Sequence, residues 1–414
     1  MRASVKRALW GTGGVLGVVL IAAAVTAAFQ VNRAEEVLDQ MTRPGAPQRE
    51  IGVYVLEEDP AQTLGDTAGY AYGGVEDEGT ALELAAQALG VTPPWTGYPT
   101  AFALVDALAK GECQAVVLEE AYQKSLADAR GYQWTETGMR KVGAFQVEAE
   151  MEAPAAPQGT PDRFLVYLGG SDTFGEVSAL ARSDVNILAA VDVPKKKMAL
   201  VATPRDFYVE FPKTGGQKDK LAHAGIYGVE SSVAALEELY GLEISYYLRM
   251  NFTGFVEVID ALGGVSVYSD REFTVENIRT YQEGYNQLTG IEALAFARER
   301  MSFPEGDYQR AKNQMEVIRA VGEKLSSPAV VGALPGLMDA VEGNFETNFP
   351  REQILALAPA LAGGWDISAY TTAGLSDYRE TWSMPGASLY VILPDRQSVA
   401  QGTEILEEVL QGEA

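Results

Sequence analysis

The segment Arg182–Asp206, RSDVNILAAVDVPKKKMALVATPRD, contains two apolar runs joined by a tight turn. Val185 to Val193 and Met198 to Thr203 predict two strands, and the short connection between them predicts an antiparallel hairpin. An earlier apolar run, Phe164 to Leu168, has the composition of a third strand that can pair with this hairpin. The segment therefore predicts a sheet at the centre of the second part of the chain.

Charged residues stand at the ends of these predicted strands. Arg182 and Asp184 precede the first strand of the hairpin, and Arg205 and Asp206 follow the second. Because the first strand of an antiparallel hairpin begins where the second one ends, we expect these four side chains to lie together. Asp172 joins them if the strand Phe164 to Leu168 pairs antiparallel with the hairpin.

A second group of charged residues lies about one hundred positions later. Asp307, Arg310 and Gln314 are spaced by three and four, so they share a face of the helix that Asp307 can N-cap. Arg298 and Arg300 are two apart, so the preceding helix ends between them or only one points inward. Arginine forks match phosphate oxygens, and carboxylates can hold Mg²⁺, so the two groups predict an anion-binding site. Ordinary surface ion pairs are the alternative.

Strands alternate with helices through the rest of the chain, which predicts an α/β fold with a three-layer α-β-α domain around a mixed sheet. Prolines concentrate in residues 151–162, and we interpret this stretch as a linker. It separates an accessory α/β domain, residues 48–150, from a larger domain, residues 163–414, which contains the charged blocks. The accessory domain resembles one lobe of bilobal solute-binding domains, although a purely structural spacer fits its pattern equally well.

Residues 1–33 have the features of a short cytoplasmic stub followed by a transmembrane signal-anchor. Leu9 to Phe29 contains no charged side chain and is long enough to cross a hydrocarbon core of about 30 Å. Arg2, Lys6 and Arg7 precede it, so the positive-inside rule predicts a single-pass protein with a cytoplasmic N-terminus and with the chain after this segment outside the cell. A cleaved signal peptide is the alternative interpretation.

Composition excludes several classes of function. The chain has 414 residues and a net charge of −25, which argues against nucleic acid as the main partner. Cys113 is the single cysteine and His223 the single histidine, so an intramolecular disulfide is excluded and a zinc site or Cys-His nucleophile pair is not expected. Any metal ion is expected to be a hard cation bound by oxygen atoms.

Several further motifs occur in order around the charged blocks. They are RSD at 182–184, LVATPRD at 200–206, KLAHA at 220–224, NFTGF at 251–255, DALGGV at 260–265, GYNQL at 284–288, ALAFARER at 293–300, and GDYQR at 306–310 followed by Gln314. On these motifs the chain resembles the LytR-CpsA-Psr family of cell-wall glycopolymer ligases, well over residues 163–325 and more loosely beyond. Asn313 departs from the family pattern, which commonly has an arginine at that position.

The resemblance implies a phosphotransferase that moves a glycopolymer from a polyprenyl pyrophosphate carrier in the membrane to a peptidoglycan sugar hydroxyl. It implies that Asp172 and Asp184 bind Mg²⁺, with Mn²⁺ as an alternative ion. Asp206 would orient Arg205, and Asp307 is the candidate base; Arg205 and Arg182 would contribute to catalysis. The implied pyrophosphate-binding residues are Arg182, Arg205, Lys220, Arg298, Arg300, Arg310 and Gln314.

Two other functions remain open at this point. A polyprenyl pyrophosphate phosphatase would use the same residues with water as the acceptor. A non-catalytic membrane protein could instead sense the lipid carrier through the same site. The polymer itself, for example teichoic acid or capsule polysaccharide, is not specified by the sequence. The lipid tail needs an apolar cavity, and the candidate lining residues are Val233, Leu236, Leu239, Phe255, Val256 and Ile259.

Overall fold

The structure is a computed structural model that describes residues 31–42, 45–76, 79–149, 154–159, 161–304, 306–325, 330–357 and 365–412. The predicted transmembrane segment, Leu9 to Phe29, lies outside these residues. Within the described ranges, no helix combines the length and apolar character that crossing a bilayer requires.

Strands and helices alternate along most of the chain. The strands are β1 (Gln48–Leu56), β2 (Tyr72–Val75), β3 (Trp95–Tyr98), β4 (Ala115–Glu119), β5 (Met139–Glu148), β6 (Arg163–Ser171), β7 (Ser183–Asp192), β8 (Lys197–Ala202), β9 (Tyr208–Phe211), β10 (Gln217–Lys220), β11 (Tyr246–Met250), β12 (Val265–Ser269), β13 (Phe273–Val275), β14 (Arg279–Tyr281), β15 (Gly284–Leu288), β16 (Phe345–Thr347), β17 (Asp366–Thr371), β18 (Gly374–Arg379) and β19 (Leu389–Pro394). The helices are α1 (Val31–Thr42), α2 (Gly79–Leu89), α3 (Ala101–Lys110), α4 (Glu120–Leu126), α5 (Leu221–Ala224), α6 (Val229–Tyr240), α7 (Phe252–Ala261), α8 (Gly290–Arg298), α9 (Asp307–Leu325), α10 (Val330–Val341), α11 (Arg351–Leu357) and α12 (Arg396–Gln411).

The main sheet is mixed and six-stranded, with the order β16-β11-β6-β7-β8-β17. The predicted hairpin is confirmed: β7 and β8 pair antiparallel, with Ile187 opposite Ala202 and Asp192 opposite Lys197. Strand β6 also pairs antiparallel with β7, as its apolar run predicted, and it pairs parallel with β11 on its other side. This pairing brings the end of β6, the start of β7 and the end of β8 to one edge of the sheet.

Both faces of the main sheet are covered, so the predicted three-layer α-β-α arrangement is observed. Alternate residues of β6 belong to different cores: Val166 packs on one face with α7, α8 and α9, and Tyr167 packs on the other with α6 and α12. This alternation is the expected consequence of side chains pointing to opposite sides of a strand. The final helix, α12, is part of the second core.

A second, five-stranded mixed sheet has the order β3-β2-β4-β1-β5 and is built from residues 48–148. Its helix α3 begins at the N-cap Thr100 and ends at Gly111, whose φ of 73° suits the left-handed C-cap position. The core on one side of this sheet also contains Met384 and Leu389 from the C-terminal part of the chain. Strand β19 connects the two regions, because its Leu389 packs in this core whereas its Ile392 packs in one of the two cores of the main sheet. The domain boundaries themselves stay a prediction.

The boundary between β11 and α7 differs from what apolar composition alone predicts. The largely apolar run Tyr246 to Phe252 predicts one continuous strand, but β11 ends at Met250 and α7 starts at Phe252. Asn251 is the physical reason: its side-chain oxygen accepts a hydrogen bond from the backbone N–H of Gly254 at 2.8 Å and caps the helix. This cap outweighs the β preference of the surrounding apolar residues.

Candidate functional site

The charged residues flanking the hairpin do meet at one edge of the main sheet. Asp184 is the centre of the group and is buried. Its Oδ1 accepts a hydrogen bond from Nη1 of Arg205, and its Oδ2 accepts one from Nη2 of Arg310 at 2.6 Å. Nε2 of Gln314 donates to the backbone oxygen of Asp184 at 3.4 Å. The hairpin and α9 therefore meet at Asp184. Arg310 and Gln314 both face this residue, as their four-residue spacing on one face of α9 predicted.

Asp172 and Arg182 form a second ion pair beside the first. Nε and Nη2 of Arg182 donate to Oδ2 of Asp172 at 2.9 and 2.5 Å. The other carboxylate oxygen of Asp172, Oδ1, is buried and has no hydrogen-bond partner. Leaving a buried carboxylate oxygen unsatisfied is costly, so this atom is available to a cation or a proton donor.

Lys220 and Asp206 lie on the other side of Arg205. Nζ of Lys220, which is fully buried, is 2.6 Å from Oδ1 of Asp206. Nη1 of Arg300 is 3.6 Å from Oδ2 of Asp206, and Nε of Arg205 is 3.5 Å from its Oδ1. Asp206 is therefore held most closely by Lys220, and its expected role of orienting Arg205 stays a prediction.

Helix α8 ends at Arg298, so the prediction that the helix stops between Arg298 and Arg300 is confirmed. Both arginines then contribute to the site from different positions. The guanidinium carbon of Arg298 lies 4.6 Å from the ring centre of Phe252. Within the described part of the chain, Arg298 has no carboxylate partner at ion-pair distance, unlike Arg182, Arg205, Lys220, Arg300 and Arg310.

An apolar cavity opens beside Asp184. It lies between the main sheet and helices α7, α8 and α9, with an empty volume of about 670 Å³ that includes its open mouth. Its apolar lining residues include Leu168, Ile187, Leu248, Met250, Phe255, Leu294 and Ile318. Its charged and polar lining residues are Ser171, Asp184, Asn251, Arg298, Arg310 and Gln314. The cavity is thus amphipathic, with a charged and polar patch in a largely apolar wall.

The predicted lining of this cavity was partly wrong. Phe255 lines it, but Val233, Leu236 and Leu239 belong to α6, which packs in the core on the opposite face of the sheet. The amphipathic pattern of a helix shows that one of its faces is buried. It does not show which side of the sheet the helix covers. Ile259 belongs to the same core as the cavity wall without lining the cavity itself.

The site contains a residue that sequence reasoning missed. Asp128 follows α4 of the five-stranded-sheet region, and its Oδ2 lies 2.7 Å from Nζ of Lys220 and 3.5 Å from Nη2 of Arg205. Its Oδ1 accepts a hydrogen bond from Nη2 of Arg300 at 3.3 Å. No local motif marks this aspartate, since its surroundings, LADARG at 126–131, resemble an ordinary helix end.

Burial and neighbouring charges act against each other on these groups. Burial by itself would raise the pKa of Asp206, but Lys220 and Arg205 outweigh it and lower the pKa to about 2. Burial would also raise the pKa of Asp184, but the neighbouring Arg205 and Arg310 outweigh it and lower this pKa. Burial lowers the pKa of Arg298. Asp184 and Asp206 are therefore ionised at neutral pH. A ligand that enters the site meets these two charged carboxylates together with the charged arginines beside them.

Metal ligands and a base are not fixed by these contacts. Among the described residues, no cluster of three or more His, Cys, Asp or Glu side chains is placed to hold a metal ion. Asp172 and Asp184 could still supply two carboxylates, and the unpartnered Oδ1 of Asp172 suits a cation. Asp307 is the first residue of α9, one turn before Arg310; its side chain is outside what the structure describes.

His223 has a structural environment. Its Nδ1 lies 2.7 Å from Oδ1 of the buried Asp219 and 2.9 Å from Oγ of the half-buried Ser383. Ser383 also donates its backbone N–H to the other oxygen of Asp219 at 2.7 Å. Because aspartate and serine both face the same ring nitrogen, this group lacks the arrangement in which a histidine links a nucleophile to a carboxylate.

Comparison with known proteins identifies relatives of this chain. The LytR_cpsA_psr family model matches residues 132–403. A protein of Bacillus mycoides named polyisoprenyl-teichoic acid–peptidoglycan teichoic acid transferase TagU is 36% identical over 190 residues, which are 46% of this chain and 61% of the relative. The corresponding TagT of Bacillus subtilis is 32% identical over 224 residues, or 51% of this chain and 68% of the relative. The match thus spans about three fifths of the length of TagU.

The fold comparison agrees with the sequence comparison. The crystal structure of B. subtilis TagV superposes with a TM-score of 0.51 at 26% identity, and the match covers 60% of this chain and 98% of TagV. The charged blocks at residues 182–184, 205–206 and 298–314 fall inside the matched residues 132–403. The chain therefore belongs to the LytR-CpsA-Psr family.

Proposed function

We propose that this protein is a phosphotransferase that moves a phosphate-linked glycopolymer from a polyprenyl pyrophosphate carrier to a sugar hydroxyl of peptidoglycan. The amphipathic cavity carries this proposal. An apolar space lined by residues such as Leu248, Phe255 and Ile318 suits an isoprenoid tail, and Arg298 and Arg310 in its wall suit the pyrophosphate attached to that tail. A ligand with both properties in one molecule matches the cavity better than a purely polar or purely apolar one.

The arginines and the lysine would position and neutralise the pyrophosphate. Arg298 and Arg310 lie in the cavity wall and would contact the phosphate that carries the lipid. Arg205, Lys220 and Arg300 lie on the far side of Asp184 and would contact the phosphate that carries the glycan. Phosphoryl transfer depends mainly on positioning and charge neutralisation, which buried guanidinium groups supply without reorganisation.

Asp172 and Asp184 are the residues that would hold Mg²⁺ or Mn²⁺. The buried, unpartnered Oδ1 of Asp172 fits an oxygen-preferring cation, and Asp184 brings a second ionised carboxylate. When bound, the ion would neutralise negative charge on the phosphate oxygens. The arginine contacts of Asp184 would hold its carboxylate in one orientation.

The transfer itself exchanges one P–O bond for another. The acceptor hydroxyl oxygen attacks the phosphorus that carries the glycan, and the bond from that phosphorus to the bridging oxygen breaks. Polyprenyl phosphate leaves with the bridging oxygen, and the hydroxyl proton passes to a base. Asp307 is the proposed base because it starts the helix that also carries Arg310 and Gln314.

The relatives support the class of reaction but do not specify the polymer. TagU and TagT are named as transferases of teichoic acid from a polyisoprenyl carrier to peptidoglycan. Teichoic acid is therefore the first donor to test, with capsule-type phosphate-linked glycans as the second. A lipid-linked donor also accords with the proposed membrane anchor at Leu9 to Phe29 and an extracellular site. That orientation rests on the charges of the sequence.

The test is turnover by the full-length protein in detergent, with a short-chain polyprenyl pyrophosphoryl glycan, Mg²⁺ and a peptidoglycan oligomer. We expect glycan to become covalently linked to the oligomer. Arg205→Ala should lower the rate at least about 100-fold, because a buried charged donor at the transferred group is lost. Arg319→Ala is the matched control: this arginine of α9 pairs with Glu316 and Glu323 on its own helix, so its loss should change the rate less than about twofold.

The outcomes separate the competing functions. Phosphate release without linkage to any offered acceptor would instead identify a polyprenyl pyrophosphate phosphatase. Tight donor binding without turnover would identify a lipid-carrier sensor. Failure to bind the donor at all would refute the proposed site. Circular dichroism of each variant establishes that a loss of rate is not a loss of folded protein.

A further inference from the structure

Asp128 joins the phosphate-binding cations from a part of the chain that the family model does not match. It lies four residues before residues 132–403. Its carboxylate is close to four cations at once: Lys220 at 2.7 Å, Arg300 at 3.3 Å, Arg205 at 3.5 Å and Arg182 at 3.9 Å. These are four of the seven residues that the pyrophosphate itself is expected to use. A single carboxylate thus faces four cations that a phosphate group would need, and it accepts hydrogen bonds from two of them, Lys220 and Arg300.

The position of Asp128 is built by several independent contacts. Its backbone N–H donates to the oxygen of Ser125 at 3.2 Å, and its backbone oxygen accepts from the N–H of Tyr390 at 3.3 Å. Nη1 of Arg182 also donates to the backbone oxygen of Lys124 at 3.0 Å. Nearby, the hydroxyls of Tyr122 and Tyr227 share a hydrogen bond of 2.7 Å across the two regions. The carboxylate therefore reaches the cations from a fixed segment.

Stability alone gives a weak reason for this arrangement. Burying a carboxylate costs desolvation energy that ion pairs repay only in part, so a buried pair seldom improves stability over an apolar contact. The cations already have other carboxylates: Asp184 binds Arg205, Asp206 binds Lys220, and Asp172 binds Arg182. Asp128 is an additional anion in a group that is paired without it, and its side chain is only 9% exposed.

We propose that Asp128 is an internal anion that occupies the outer phosphate subsite, formed by Arg182, Arg205, Lys220 and Arg300, and competes there with the pyrophosphate of the substrate. The proposal rests on the proposed function in that it takes pyrophosphate as the ligand. The inner subsite, at Arg298 and Arg310 in the cavity wall, receives the lipid-linked phosphate. Among the described residues Arg298 has no carboxylate at ion-pair distance, and Arg310 pairs with Asp184, which is a proposed ligand of the metal ion. The outer phosphate then displaces Asp128 from the cations.

The competition has a consequence for regulation. Asp128 belongs to the region of the five-stranded sheet, whereas its four cations belong to the main-sheet region. Any ligand or partner that shifts the segment after α4 would change the affinity of the outer subsite without touching it. The accessory region would then inhibit pyrophosphate binding through Asp128. Binding of a partner to that region would be coupled to binding of pyrophosphate at the outer subsite.

Calorimetric titration of the full-length protein with inorganic pyrophosphate tests this idea. Asp128→Asn keeps the shape of the side chain and removes its charge, so we expect pyrophosphate to bind at least tenfold more tightly than to the wild type. Asp106→Asn is the matched control: it removes the same charge from α3, where Asp106 accepts a hydrogen bond from Tyr132 at 3.3 Å, and should change the affinity less than about twofold.

Thermal unfolding with and without pyrophosphate covers the case in which Asp128→Asn folds poorly. If the carboxylate stands where a phosphate binds, added pyrophosphate should restabilise Asp128→Asn and raise its Tm more than that of the wild type. Unchanged or weaker pyrophosphate binding by a folded Asp128→Asn would overturn the proposal, and so would a poorly folded variant that pyrophosphate does not rescue. Absence of binding in the wild type and in Asp128→Asn would refute the proposed function as well, so the two failures are distinguishable.

Discussion

Two buried carboxylates show, at the scale of single residues, how neighbouring charges decide ionisation. Asp206 has Lys220 at 2.6 Å; burial opposes its ionisation, but this lysine and Arg205 lower its pKa to about 2. Among the described residues, the cation that pairs with Glu119 is Arg49, at 3.8 Å. Burial outweighs this distant partner and raises the pKa of Glu119 to about 7. The desolvation cost of an ionised carboxylate is thus outweighed by nearby cations at Asp206 in the site. At Glu119 on β4 the more distant arginine does not outweigh it.

Glu119→Gln should therefore stabilise the protein at alkaline pH. A folded-state pKa of about 7, raised from 4.5, gives stability that is fully present below about pH 4.5 and lost as the pH rises through 7. The difference in unfolding free energy, variant minus wild type, should therefore increase by about 3 kcal/mol from pH 4.5 to pH 8. Urea unfolding of both proteins at the two pH values measures this difference.

The control for this prediction is Glu112→Gln, which removes an exposed carboxylate from the turn before β4. Its unfolding free energy should run parallel to that of the wild type over the same range. A Glu119→Gln curve that is equally parallel would show that Glu119 is solvated or paired in the folded protein, contrary to the buried and incompletely satisfied carboxylate described here.

At the scale of elements, helix α8 connects the apolar and charged parts of the site. Leu294, Ala297 and Arg298 lie on one face of this helix, at spacings of three and four, and all line the cavity. The capping box of Thr289 and Glu292 fixes where the helix begins, so it also fixes which residues face the sheet. Tail binding and pyrophosphate binding can therefore be separated by substitutions on a single helix.

Ala297→Trp should fill the cavity from α8 and weaken binding of a short-chain polyprenyl pyrophosphate at least tenfold, because isoprenoid carbons lose their apolar contacts. Binding of inorganic pyrophosphate should change less than about threefold. Ile291→Trp, at an exposed position on the same helix, is the control and should leave both affinities within about twofold. Calorimetry with the two ligands checks the prediction. Equal weakening of both ligands by Ala297→Trp would contradict a tail-binding role for the cavity.

At the scale of the whole molecule, the two sheets are connected by more than the chain between them. Leu389 of β19 is fully buried in a core with Phe102 and Leu104 of α3. The backbone N–H of Gln48 donates to the oxygen of Ser178 at 2.9 Å, and the N–H of Leu180 donates to the oxygen of Gln48 at 2.7 Å. Ile392 of the same strand packs in a core of the main sheet. Because β19 contributes to a core on each side, opening either region exposes apolar surface of this strand, which makes separate unfolding of the two regions unfavourable.

We therefore expect the strands of both sheets to lose protection in a single transition. Leu389→Ala should lower the unfolding free energy of both sheets by about 2 to 5 kcal/mol, whereas Leu375→Ala, at a site 74% exposed on the partner strand β18, should change it by no more than about 0.5 kcal/mol. Hydrogen exchange of β4 and β7 in increasing urea measures the two sheets separately. Unfolding of β4 well before β7 in the wild type would contradict this expectation.

Much of the site could be predicted because it depends on short-range geometry. The hairpin β7-β8 brought Arg182, Asp184, Arg205 and Asp206 to one edge, and helical spacing brought Arg310 and Gln314 to one face. Asp128 could not be predicted, because it is 92 residues from Lys220 and no motif connects them. The cavity lining was only partly predictable, since a helix pattern does not reveal which face of a sheet it covers.

The sequence by itself determined the family, the hairpin, the end of α8 at Arg298 and the grouping of arginines with carboxylates. Each of these follows from turn chemistry, side-chain periodicity or a motif, which act between residues close in the chain. Only the tertiary structure decided that Asp128 of one region faces the cations of another, and that α6 lies away from the cavity. Those contacts depend on how two sheets pack together, and packing is a property of the assembled cores rather than of any local segment.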